Sequence, residues 1–281
     1  DPLNIGEECD AIVLTGGSLW GYATVPGVME YLFSQGKGVR TRGGILPVVP
    51  AAVIFDLPVG DARIHPQPEW GYKAAQTATS GPVMQGNVGA GTGGTIGKQQ
   101  GGIPMKGGLG TASAILPDGI VVGAIVVLNA VGDVVNPATG KFYATSGGFD
   151  RVPYRHQHTI STTSNPAPKV GENTTLVVIA TNARLNKVQL AKIAQFAHDG
   201  LARAIRPIHT MLDGDTVFVV SVGWDDRIPV KAAYPAEAVD RIGTAAGDVL
   251  IRAILKGVEA AESIPGWPSY REWRASQERK K

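Results

Sequence analysis

At residues 173–174 a polar, proline-bearing stretch gives way to the apolar run Leu176-Val177-Val178-Ile179-Ala180, so the chain passes abruptly from slack to buried strand. Asn173 and Thr174 stand at that border. A threonine hydroxyl behind an asparagine carbonyl can attack its own backbone. The cut leaves Thr174 as a new N-terminus that carries nucleophile and amine base in one residue. Two plainer readings compete: a strand that begins with β-branched residues, and the sequon Asn173-Thr174-Thr175, which matters only in a secreted protein.

The segment before the border fits a processing site. Residues 150–172 carry Pro153, Pro166 and Pro168, a Ser/Thr cluster and few apolar residues, giving slack on one side of a fixed strand. His156 and His158 lie in it without a third nearby ligand, so no metal is assigned.

Periodicity predicts a mixed α and β chain. Asp10–Leu14 reads as a buried strand running into Thr15-Gly16-Gly17-Ser18, and Trp20–Phe33 as helical despite Pro26. Further strands are expected at Ala51–Phe55, Thr111–Leu116, Ile120–Leu128, Thr174–Thr181 and Thr216–Val222, with a short helix at Gly71–Thr79. Asn186 with Gln189 forms a capping box, and Ile193, Ala194, Ala197, Leu201 and Ile205 share one helical face. A last helix is expected from about Pro235 to about Ala261.

Glycine, 37 residues in all and dense over 81–110, demands tight turns or close backbone approach there. Gly89-Ala90-Gly91-Thr92-Gly93-Gly94 has dinucleotide-fingerprint spacing but lacks a clean preceding strand and a following helix. Gly97-Lys98 resembles the end of a phosphate loop, yet Thr92 stands where the first Gly belongs and Gln99 replaces the magnesium-holding hydroxyl. What remains is a lysine delivered by a close-packed backbone, with a surface lysine as the plain alternative. Asp213-Gly214-Asp215 at a strand entrance reads either as a turn or as carboxylates that accept hydrogen bonds from the amine or hydroxyl of an N-terminal threonine.

Composition excludes several classes. A net charge of +2 with scattered basic residues gives no field for nucleic acid, and no apolar stretch approaches the roughly 20 residues of a membrane helix. One cysteine, Cys9, forbids an internal disulfide; the compartment stays open, with a cytoplasmic one favoured. The chain opens Asp1-Pro2-Leu3-Asn4 without methionine, so the expectation is that an upstream piece is absent or already removed.

Thr15-Gly16-Gly17-Ser18 after a strand, the 89–94 glycines followed by Gly97-Lys98, Asn129 in Val127-Leu128-Asn129-Ala130-Val131-Gly132, Gly171-Glu172-Asn173-Thr174-Thr175, and His209-Thr210 to Asp213-Gly214-Asp215-Thr216 occur in one order. This constellation resembles the self-processing aminopeptidase/amidase family of L-aminopeptidase/D-esterases, β-aminopeptidases and nylon-oligomer endohydrolases over nearly the whole chain. The resemblance implies an α+β fold of the N-terminal-nucleophile kind, an α-β-β-α layered sandwich. It implies one catalytic domain over residues 1–281, cut between 173 and 174 into fragments 1–173 and 174–281 that stay together, commonly as a homotetramer. Family strands ahead of Asp10 would lie upstream of residue 1.

Carried over by position, Thr174 resembles the nucleophile, Asn173 the residue before the cut and Asn129 the side-chain donor to the oxyanion. Lys98, Asp213 and Asp215 match the charged residues around the nucleophile. Members have Thr or Ser at position 174, so Thr174 does not choose the substrate; Trp20 stands at the substrate where several members have tyrosine. The implied activity is cofactor-free hydrolysis of peptides or of linear ω-amino-acid amide oligomers such as those of 6-aminohexanoate. The competing readings are an aminopeptidase/D-amidase that releases N-terminal residues and, further off, an ornithine-acetyltransferase-like acyl transfer.

Overall fold

A computed structural model describes residue 3 and residues 6–98, 104–143, 173–222 and 236–279. The linker expected at 150–172, with its two histidines, and the start of the last helix at Pro235 lie outside the described residues.

In chain order the strands are β1 (Val13–Thr15), β2 (Val39–Thr41), β3 (Gly44–Leu46), β4 (Ala51–Val53), β5 (Thr95–Ile96), β6 (Met105–Lys106), β7 (Gly108–Ile115), β8 (Val121–Asn129), β9 (Asp133–Asn136), β10 (Lys141–Phe142), β11 (Thr174–Thr181), β12 (Ile205–Arg206) and β13 (Thr216–Ser221). The helices are α1 (Thr24–Ser34), α2 (Pro68–Thr77), α3 (Lys187–Ala204), α4 (Ala236–Ala260) and α5 (Tyr270–Glu278), with 3₁₀ turns at Ser18–Ala23 and Gly89–Thr92.

The central sheet runs β13-β11-β8-β7; β11 pairs parallel with β13 and antiparallel with β8, and β7 with β8 is antiparallel. Its two faces separate by the period of two that a pleated strand imposes. Val122, Ala124, Val126 and Leu128 of β8 and Val177 and Ile179 of β11 join the large core under α3 and α4. Val127 and Leu176 face the other way, against Ala52 and Ile54 at the end of the parallel β1-β4 pair. Helices α1 and α2 pack together beyond β1. The layers are therefore helix pair, four-stranded sheet, small sheet and helix pair, the α-β-β-α order the resemblance implies.

Local chemistry explains the best-defined helix. The Asn186 side chain accepts the Gln189 N–H while Gln189 Oε1 accepts the Asn186 N–H, so the capping box closes from both sides. Ile193, Ala197 and Leu201 are fully buried beneath it. At the sheet, a Cβ on Gly110 would stand 2.0 Å from the Ala253 carbonyl, so only glycine lets α4 lie this close to β7.

Trp20–Phe33, read as one helix, is a 3₁₀ turn followed by α1. Gly17 and Ser18, with φ of 84° and 54°, open that turn in left-handed conformations that the hydrophobic pattern does not reveal. The exposed β2-β3 hairpin, the short β9 and the strongly polar α5 were not expected.

Candidate active site

The register of the central sheet builds the site. Thr174, first residue of β11, stands directly opposite Asn129, last residue of β8. Both share the face of Leu176 and Val127, so both look between the two sheets toward the end of β4. Thr174 is 6% exposed; Asn129 and Asn173 are fully buried.

Thr174 Oγ1 donates to the carbonyl oxygen of Asn173 at 2.5 Å, and the Gly214 N–H donates to the same oxygen at 2.8 Å. The hydroxyl thus lies against the carbonyl of its own peptide bond, and a backbone donor already points at the oxygen on which charge would develop. A bridge between Asn173 and Asp213 holds the 213–215 turn in place, and a Cβ on Gly214 would meet Thr174 Oγ1 at 3.0 Å. Neither polar atom of the buried Asn173 side chain finds a partner among the described residues.

Lys98 is brought up by backbone pairing of Gly97 with Gly132 and of Lys98 with Val131. Its Nζ donates to the Asn129 carbonyl at 3.0 Å and to Asn129 Oδ1 at 2.9 Å. Thr95 N and Oγ1 donate to the same Oδ1, each at 3.2 Å, while Asn129 Nδ2 donates to the Phe55 carbonyl. Donors on Oδ1 and an acceptor on Nδ2 fix which way the amide points.

The two aspartates lie close to Thr174 but hold its surroundings. Asp213 Oδ2 accepts from Thr210 N and Oγ1 at 3.0 and 2.7 Å. Asp215 Oδ1 accepts the Thr175 N–H at 2.7 Å. The expected hydrogen bonds from the threonine to these carboxylates are replaced in the intact chain by one from its hydroxyl to the Asn173 carbonyl.

Trp20 is not brought to this cluster: it is 62% exposed and stacks on His65 at 5.0 Å. A small, half-open cleft beside Asn173 is lined instead by Phe55, Asp56, Pro58, Val59, Thr95, Lys98 and Trp267. Sequence reading missed Asp56, whose Oδ1 accepts the Gly17 N–H at 2.6 Å. Burial raises its carboxyl pKa above the usual range, against the lowering effect of the Gly17 N–H, Lys106 and Lys98. The signal was an acid straight after an apolar strand, which also describes an ordinary turn. The glycines frame it: a Cβ on Gly16 or Gly93 would stand 2.3 or 2.0 Å from Asp56 Oδ2. Gly89–Thr92 is a 3₁₀ turn that runs into β5 and not into a helix, so the dinucleotide fingerprint lacks its required context.

Lys106 was missed as well. It is fully buried, and its Nζ donates to the carbonyls of Thr92 and Gly94 at 2.7 and 2.8 Å. Burial lowers its pKa to about 8, with Asp56 pulling the other way. No group of three His, Cys, Asp or Glu among the described residues could hold a metal ion, and no described helix is long and apolar enough to cross a membrane.

Compared with solved structures, the fold is similar to the L-aminopeptidase D-Ala-esterase/amidase of Ochrobactrum anthropi, described as a variant of the Ntn hydrolase fold: TM-score 0.63, 22% identity, 92% of this chain and 70% of that one. A Burkholderia β-aminopeptidase gives a TM-score of 0.58 at 24% identity over 85% of this chain and 65% of that one. The fold class is thus that of the N-terminal-nucleophile hydrolases, α+β. Residues 1–270 match the model of peptidase family S58, and the chain belongs to that family of peptide and amide hydrolases. Among sequence relatives, an uncharacterized aminopeptidase of Mycobacterium leprae is 42% identical over 96% of this chain and 77% of its own length. The 6-aminohexanoate-oligomer endohydrolase of Paenarthrobacter ureafaciens is 33% identical over 75% of this chain and 60% of its own.

Proposed function

We propose that the chain is the precursor of an N-terminal-threonine amide hydrolase that cuts itself between Asn173 and Thr174. The observation that carries this reading is the Asn173 carbonyl, which receives the Thr174 hydroxyl and the Gly214 N–H together. The hydroxyl oxygen adds to the Asn173 carbonyl carbon, and its proton passes to the Thr174 nitrogen. The C–N bond breaks to leave an ester on Oγ1 and a free amine. Water then cleaves the ester, giving a carboxylate on Asn173 and a mature Thr174.

In the mature enzyme the amine takes the hydroxyl proton, directly or through water, while Oγ1 forms an acyl-enzyme on a substrate amide. Oxyanion donors of the kind provided by Gly214 N–H and Asn129 contribute about 3–4 kcal/mol each when well aimed. An α-amino group titrates near roughly 7.7–8.0, and the aspartates favour its protonated, inactive form. Lys98, held on Asn129, opposes them.

For the substrate, two readings are supported by different observations. The linear-oligomer reading rests on Thr174, Lys98, Asp213 and Asp215 together and on the similarity to the 6-aminohexanoate-oligomer endohydrolase. Asp56 favours the other: a carboxylate in a largely apolar cleft next to Asn173 suits a free ammonium on the acyl side of the scissile bond, as an aminopeptidase requires. We favour release of N-terminal residues. Product analysis on a long amide oligomer tests it: single units released from the amino end, and no release once that amine is blocked, are expected, whereas early internal fragments support endohydrolysis.

A further inference from the structure

His209 belongs to a motif singled out in the sequence, yet the chemistry above gives it no task. It lies on the turn between β12 and β13 with φ of 57°, a left-handed conformation that its backbone keeps although it is not glycine. Its Nδ1 and its backbone N–H both point at Asp215 Oδ2, at 2.8 and 3.2 Å. The other oxygen of that carboxylate holds Thr175 N at 2.7 Å. The Asp215 side chain is 2% exposed, so its oxygens rely on these donors for hydrogen bonds. Behind His209, His198 of α3 presents Nδ1 to Nε2 at 3.2 Å with the rings edge to face. Burial, with His209 beside it, holds His198 below the ordinary imidazole range, against Asp215 and Asp199, which favour its charged form. An ionised carboxylate only accepts, so the Nδ1 contact with Asp215 places a proton on Nδ1 of His209.

We propose that His209 is a positioning residue for the reaction, clamping Asp215 onto the Thr175 N–H so that Thr174 keeps one place before and after the cut. The geometry suits that task. The Thr175 N–H lies on the C-terminal side of the scissile bond and survives maturation, whereas the Asn173 contacts depart with the cut. A nucleophile that loses such an anchor moves, and displacement by about 1 Å can cost on the order of 10²-fold in rate.

This inference rests on Thr174 as nucleophile, so Thr174→Ala is made in parallel. His209→Gly and His209→Asn both tolerate a positive φ, and they differ in whether a side-chain donor can reach Asp215. Self-cleavage is followed by denaturing electrophoresis after cell-free synthesis, and turnover of an aminoacyl p-nitroanilide is measured below the melting midpoint of every variant. His209→Gly should slow cutting and lower kcat by about 10–10²-fold with KM little changed. His209→Asn should recover most of the loss. Cutting and kcat at the parent rate in His209→Gly, or an equal loss in His209→Asn, overturns the clamp. A Thr174→Ala chain that is still cut overturns the nucleophile assignment instead.

Discussion

Thr174, Asn129, Lys98 and Asp56 divide the proposed chemistry among themselves, and each assignment has its own measurable consequence. Thr174→Ala should fold, stay uncut and hydrolyse nothing, while Thr174→Ser should keep part of both activities because the hydroxyl survives; denaturing electrophoresis and an amide assay read both. Asn129→Ala should lower kcat by about 10²–10³-fold, as for a lost oxyanion donor. Lys98→Met removes a positive neighbour, which favours the protonated amine and raises its pKa. The rising alkaline limb of the rate profile should therefore move to higher pH, and an unmoved limb in a fully matured variant would leave Lys98 a packing role. Asp56→Asn should raise KM for substrates with a free amine while leaving kcat little changed. That split would be absent if Asp56 only supported Gly17.

Elements, more than single residues, decide where these side chains meet. The strand entered at Thr174 was legible because an apolar run follows a polar, proline-bearing segment, and the capping box on α3 was legible because Asn186 and Gln189 lie within one turn. The 213–215 turn was legible as polar residues at a strand entrance. Its working part, the Gly214 N–H, is a backbone group that no side-chain pattern announces. Asp56 and Trp267 reach the cleft from segments whose local sequence reads as an ordinary turn or loop, because only the packing of β4 and the 264–267 loop near Asn173 brings them together. The β5-β6 pair adds a testable titration. Lys106 has a folded pKa of about 8, below its unfolded value of about 10.4, so the unfolded chain binds the extra proton between them. Its burial penalty is full below pH 8 and fades as pH rises toward the unfolded value, so this residue makes stability increase with pH in that window. Thermal melts of the parent chain and Lys106→Met should diverge there, with the Lys106-dependent slope missing from the variant.

Across the whole molecule, the two sheets face each other where β11 begins, and the cleft beside Asn173 opens at that place. The layer order was legible through the family resemblance. The bottom-up pattern alone gave strands and helices without saying which sheet lay against which, since period-two alternation marks two faces but does not name their partners. The proposed self-cleavage would link all three scales: a residue that attacks, a register that holds Asn129 opposite it, and two layers that bury both. Intact mass under denaturing conditions, with N-terminal sequencing of the purified chain, tests that link most directly. The expected result is two fragments, 1–173 and 174–281, the second beginning Thr174-Thr175-Leu176; a chain that remains whole while it hydrolyses amides would contradict it.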